Sequence, residues 1–299
     1  MNYTYKMESK WYLLRHLGAR EPVFMGEFKQ IPGASPGTEA VYGFGTHPDG
    51  GAHLLAKDYV IAEGIGERLP VPNNIEKILL APSPLVRADE TNRHVFVGMC
   101  RNYAKNDLGL TEEDMATTEG KRILTQKGLH KYAGFRFASG LAESAYKNGE
   151  GEEDEGKELI NQCHCKEIND GTFPGYRWIV QKGIEGDTRS EHPQEVATRG
   201  FNDILPELTR YGLVLSTSHQ PNVEIIAAAL SGDLGRDANE IWDGAGGDFA
   251  LGGGFMLTTQ YNPKSGLFES AQLRRTPQKT VADFSQELPV SLNVLNSFL

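Results

Sequence analysis

The sequence predicts an α/β fold, a three-layer α/β/α sandwich with a mostly parallel central sheet. Three observations carry that expectation: short apolar runs that end abruptly in polar residues, amphipathic stretches between them, and joins rich in glycine and proline. Short apolar runs read as strands buried on both faces, the pattern of parallel strands covered by helices.

The run "KWYLLRH" at 10–16 rises out of polar residues and reads as the first buried strand. Residues 18–51 are rich in Gly and Pro and read as loop with room for one short helix. "GAHLLAKDYVIAEGI" at 51–65 sets Leu54, Leu55, Tyr59 and Ile61 at roughly helical spacing, so an amphipathic helix is expected. "EKILLAPS" at 76–83 is a second strand, broken by its "PSP" ending. "RADETNRHVFVGMCRNYA" at 87–104 starts as a helix, with "HVFVGM" left open as a short strand.

From 105 to 185 the chain turns acidic and polar around a helix expected at 125–146. This segment reads as an inserted cap over the sheet, and its acidic run at 150–155 as a solvated loop or helix start. "HPQEVATRGFNDILPELTRY" at 192–211 is helical, with Val196, Phe201, Ile204 and Leu208 on one side. "GLVLSTS" at 212–218 is a third strand, followed by the helix "NVEIIAAALSG". "GAGGDFALGGG" precedes a strand and lacks both the GKS/T ending and the strand–Gly–helix order of a nucleotide loop, so it reads as a glycine-rich turn. The tail "ELPVSLNVLNSFL" suits a helix packed on the domain.

At 299 residues with 39% apolar and 9% aromatic composition, a sizeable core is available. The whole chain, 1–299, reads as a single domain with 105–185 inserted in it. A formal charge of −10 argues against nonspecific nucleic-acid partners and against an anionic membrane surface, both of which reward positive charge. An anionic substrate therefore needs a local basic pocket. Cys100, Cys163 and Cys165 are too few for a disulfide framework, and "CHCKE" at 163–167 has no second cluster to complete four metal ligands. With no long apolar stretch at the start and nowhere 18 apolar residues together, a soluble, reduced, cytoplasmic protein is expected.

In parallel α/β sheets, ligands bind beyond the carboxyl ends of the strands. Here those ends read "LLRHLG", "APSPLVRADET" and "STSHQPNVE", and they deliver Arg15, His16, Arg87 and His219 to one rim. Two arginines and two histidines together demand an anion, and phosphate is the natural one. Arginine can fork two hydrogen bonds onto a phosphoryl group, and imidazole can be neutral and nucleophilic near pH 7. His47, His53, His94, His130, His164 and His192 sit in no ligand spacing, and no metal is expected.

These motifs resemble those of the histidine phosphatase superfamily, also called phosphoglycerate mutase-like, in its first branch. "LLRHLG" is similar to the family's Arg-His-Gly motif, "SPLVRADET" to its Ser-Pro-Leu-x-Arg-Ala-x-x-Thr motif, and "STSHQPNVE" to the segment bearing its second histidine. The resemblance is scattered over about residues 10–260 and keeps the family's order. It implies that His16 attacks phosphorus and becomes a phosphohistidine, that Arg15 and Arg87 hold the phosphoryl oxygens, and that His219 donates as charge builds. Backbone N–H groups from Gln220 onward would add to the cradle, and no cofactor or metal is implied.

The family supplies the leaving group's proton from a carboxylic acid; "LTEEDM" offers Glu113, with Glu112 and Asp114 as rivals. In the other branch an Asp follows the second histidine, where this chain has Gln220. Leu17 replaces a small residue and would either crowd the phosphate or point into the core, and Asn92 replaces an alanine in what reads as a surface position. The implied activity is a metal-independent phosphomonoesterase acting on a small phosphorylated substrate. The alternatives are phosphoglycerate mutase-type transfer and a catalytically inactive phosphate-binding or scaffold protein. A homo-oligomer is left open.

Overall fold

A computed structural model describes residues 6–17, 54, 56–71, 75–142, 175–232, 234–277 and 281–299. In chain order the elements are β1 (Met7–Arg15), α1 (Ala56–Gly66), β2 (Ile78–Leu80), α2 (Val86–Asn106), α3 (Glu112–Ala116), α4 (Thr118–Lys127), β3 (Ala133–Phe135), α5 (Tyr176–Ile184) and α6 (Pro193–Ile204). Then come β4 (Leu213–Ser218), α7 (Asn222–Ser231), α8 (Ala238–Gly244), β5 (Gly254–Asn262), β6 (Leu267–Arg275), β7 (Gln286–Leu288) and α9 (Leu292–Asn296). The 18–51 loop, the acidic run at 150–155 and the "CHCKE" stretch lie outside the described residues.

One seven-stranded sheet runs in the order β3-β2-β4-β1-β5-β6-β7. The three apolar runs form its parallel centre, with β4 between β2 and β1. Side chains alternate across a strand, so each central strand feeds two cores. Trp11, Leu13, Leu79 and Val214 enter one cluster with α6, α7 and α8. Tyr12, Leu14, Ile78, Leu80, Leu213 and Leu215 enter the other with α1 and α2. The expected three layers follow. Beyond β1 the sheet changes sense: β5, β6 and β7 pair antiparallel.

Two local expectations fail. "HVFVGM" is helical, inside the 21-residue α2. The helix expected at 125–146 is broken within the described residues: α4 ends at Lys127, and "AGF" at 133–135 pairs in parallel with β2 as the sheet's edge strand. Helical spacing decided the first case, and the second run is too short and glycine-broken to show any period.

Since β5 runs against β1, its first residue, Gly254, stands opposite Leu14 near the carboxyl end of β1. The glycine-rich turn before β5 is thereby delivered to the rim where the charged strand ends lie. Arg275, wholly buried at the end of β6, pins that turn from behind. Its guanidinium donates to the carbonyls of Ala245, Gly247, Asp248 and Thr276, and lies 4.3 Å over the Phe249 ring. Gly246 is required there: its φ is +77°, and a Cβ would sit 2.8 Å from Arg275 Nη1. Arg275→Ala should therefore destabilise the fold by about 3–5 kcal/mol, since four carbonyls lose their donor. Denaturant unfolding measures this, and a loss below about 1 kcal/mol would contradict it.

Candidate active site

Arg15 is the last residue of β1, and His16 follows it. The backbone there is held on both sides: Arg15 N–H donates to the Gly253 carbonyl (2.7 Å) and His16 N–H to the Ser218 carbonyl (2.9 Å). Arg87 lies in the first turn of α2, directly after β2, and His219 follows β4. Arg15, His16 and Arg87 are half-buried, and His219 is buried.

These four come together. The imidazole rings of His16 and His219 are 4.9 Å apart, tilted by 50°. Arg87 Nη2 lies 3.5 Å from His219 Nδ1. Arg15 Nη1 donates to the Phe249 carbonyl at 2.8 Å, while its Nε is buried without a hydrogen-bond partner among the described residues.

Hydrogen bonds assign both histidine tautomers. His16 Nδ1 is 2.5 Å from the Leu17 carbonyl, which can only accept, so Nδ1 carries the proton. Nε2 is then left with a lone pair, the form a nucleophile needs. For His219, Arg87 can only donate, so Nδ1 accepts and Nε2–H donates to Ser83 Oγ at 2.9 Å. Both rings are neutral. Burial, then the charges of Arg87 and Arg15, push His16 down to about 3, although its bond to Leu17 pulls the other way. Burial, with His16, Arg87 and Arg15 beside it, holds His219 well below its ordinary value.

The unusual Leu17 does not crowd this cluster. Its side chain is 3% exposed and packs into the core with Ile65. A Cβ on Gly252, itself at φ +76°, would meet Leu17 Cδ2 at 2.9 Å. Its amide N–H donates to Thr91 Oγ1 (3.1 Å), whose hydroxyl donates to the Arg87 carbonyl (2.7 Å), so the two strand ends are tied. Asn92 corrects the surface expectation. It is fully buried and donates from Nδ2 to the Leu215 carbonyl at 3.0 Å, fastening α2 to β4.

Gln220 precedes α7, and its side chain donates to Asp248 Oδ1 at 3.2 Å. Asp248 also accepts from Trp242 Nε1 at 2.6 Å. Glu113 lies exposed on α3. Its neighbour Glu112 pairs with Lys105 at 2.7 Å, and Asp114 caps α3 through Thr111. Among the described residues no hydrogen bond joins these three carboxylates to the histidine pair. No group of three or more His, Cys, Asp or Glu suited to a metal ion occurs among the described residues, and no helix there is long and apolar enough to cross a membrane.

Two residues of this site were not singled out from the sequence. Ser83 lies within "SPLVRADET" but bears no charge to mark it. Glu224 is a fully buried carboxyl in α7, and its signal was available: a single charge within the apolar run 223–230.

No family model matches the chain, and neither does any curated protein. The chain is similar to the solved structure of a phosphoglycerate mutase from Bacillus anthracis, at 12% identity and a TM-score of 0.47 over 99% of this chain and 98% of that one. It is also similar to a mycobacterial glucosyl-3-phosphoglycerate phosphatase, at 16% identity and a TM-score of 0.46 over 91% and 99%. A third is an alpha-ribazole phosphatase from Shigella flexneri, at 17% and 0.43 over 91% and 98%.

Proposed function

We propose that this chain is a metal-independent phosphomonoesterase of the histidine phosphatase superfamily, working in the cytoplasm through a phosphohistidine on a small phosphorylated substrate. The observation that supports it most is the pair of neutral imidazoles, 4.9 Å apart, with Arg87 against one of them and Arg15 beside both. A cationic pocket with an unprotonated nitrogen suits a phosphoryl dianion and little else.

In this reading the guanidiniums of Arg15 and Arg87 hold the phosphoryl oxygens. His16 Nε2 forms the N–P bond as the ester P–O bond breaks, and the leaving alkoxide takes a proton from a carboxylic acid. Water then gives a proton to that carboxylate as its oxygen attacks phosphorus, the N–P bond breaks, and inorganic phosphate leaves with His16 and the carboxylic acid regenerated. Burial first, and then the neighbouring cations, keep His219 neutral; a bound anion offsets both, so His219 gains a proton and donates to the charge that builds on phosphorus. Such preorganised donors are commonly worth about 3 kcal/mol each. Leu17, turned into the core, leaves room for this chemistry, which favours a phosphatase over an inactive scaffold. Glu113 is the acid that the resemblance offers for the leaving group.

The test is release of phosphate from para-nitrophenyl phosphate by chelator-treated protein, with rapid acid-free quenching and mass spectrometry of the peptide bearing His16. Turnover with a phosphoryl mass increment on His16 is expected, and Glu113→Gln should slow turnover at least tenfold. Activity that vanishes with chelator and returns with a divalent metal would overturn the reading; an unaltered Glu113→Gln rate would move the acid elsewhere.

A further inference from the structure

Glu224 is fully buried in the first turn of α7 and takes no part in the chemistry proposed above. Its Oε1 accepts the Phe249 amide N–H at 3.2 Å, and its Oε2 is buried without a hydrogen-bond partner among the described residues. Phe249 is also the residue whose carbonyl receives Arg15 Nη1 at 2.8 Å. A single loop residue thus joins a buried carboxyl to a pocket guanidinium. The Nε of that guanidinium is likewise buried and without a hydrogen-bond partner among the described residues.

The charged groups that Glu224 faces come from three elements. They are Arg15 at the end of β1, Arg275 at the end of β6, and Asp248 in the turn before β5. Burial raises the carboxyl to about 7, against the opposing pull of Arg15 and of the Phe249 N–H. Near neutral pH the side chain therefore exists in both forms. Its charge state matters because Arg15, a pocket cation, is one of the two arginines it faces.

We infer that Glu224 is a positioning residue for Arg15, and that its ionisation sets how tightly the pocket holds a tetrahedral dianion. The inference rests on the phosphate-pocket reading. When Glu224 is protonated, the charge of Arg15 is spent on the bound anion. When it is ionised, the anion and the buried carboxylate compete for the same guanidinium. Binding of a dianion is then coupled to proton uptake by Glu224, and by linkage affinity falls as pH rises through 7.

Sulfate separates this effect from titration of the ligand, because its charge is fixed at neutral pH. Sulfate affinity of the full chain, measured by calorimetry between pH 5.5 and 8.5, should fall about tenfold across the range. Glu224→Gln keeps an acceptor for the Phe249 N–H and removes the charge, so it should bind tightly throughout with most of that slope gone. Any slope that remains belongs to His16 and His219. A second readout needs no variant: the side-chain carboxyl carbon of Glu224, followed by NMR, should titrate near 7 and move up by about one pH unit in saturating sulfate, the same tenfold coupling seen from the proton's side.

Equal slopes in wild type and Glu224→Gln, or a carboxyl midpoint that sulfate leaves in place, would overturn the inference and spare the pocket. Absence of sulfate binding to the wild type at every pH would overturn both.

Discussion

Replacing His16 with alanine should lower turnover of an aryl phosphate by at least about 10⁴-fold, because no other group among the described residues near the pocket offers an unprotonated nitrogen to phosphorus. His219 cannot substitute: both of its nitrogens are engaged, by Arg87 and by Ser83. Vanadate affinity should change far less than turnover, since Arg15 and Arg87 stay in place. A variant retaining a tenth of wild-type activity would mean that the attacking group is not His16. The same substitution should alter acid stability with a definite sign. His16 falls to about 3 in the folded chain, against an ordinary histidine value of 6.5. Between those values the unfolded chain binds a proton that the folded chain refuses. Stability is then lost as pH falls below 6.5, at up to about 1.4 kcal/mol per pH unit from this side chain. His16→Ala should lack that contribution, and denaturant unfolding at pH 7 and pH 5 checks it.

Arg87→Ala should reduce kcat/KM by about 10²–10³-fold, with kcat falling along with affinity. Lysine should restore little, because an ammonium cannot fork two parallel bonds onto a phosphoryl group. A diagnostic accompanies the rate. Arg87 is among the charges that hold His219 well below its ordinary value, so its removal should raise that histidine's titration midpoint. Imidazole nitrogen NMR of the unliganded variant reads this directly. A midpoint that stays put, with kcat unchanged, would remove Arg87 from the pocket.

Much of this arrangement was legible in the chain. "KWYLLRH", "EKILLAPS" and "GLVLSTS" are strands because long apolar side chains fill both pleated faces, and that pattern survives in sequence without any partner being known. The convergence of their ends at one rim follows from parallel strands packed under helices, so Arg15, His16, Arg87 and His219 could be grouped in advance. What the sequence withheld is set by tertiary contact. The edge strand Ala133–Phe135 has three residues and a central glycine, too little for a periodic signal. Asn92 reads as polar surface until β4 presents the Leu215 carbonyl to it. The direction of Leu17 depends on Ile65 and Gly252, 48 and 235 positions further on. Glu113 had a motif-like setting but no geometric constraint, and the structure leaves it exposed on α3.

The turn pinned by Arg275 has a consequence for the order in which the molecule becomes competent. Arg15 precedes its partners Phe249 and Gly253 by most of the described chain, and their scaffold is complete only when residue 275 has been added. A chain that already carries both His16 and His219 therefore still lacks the residues that hold Arg15 for an anion.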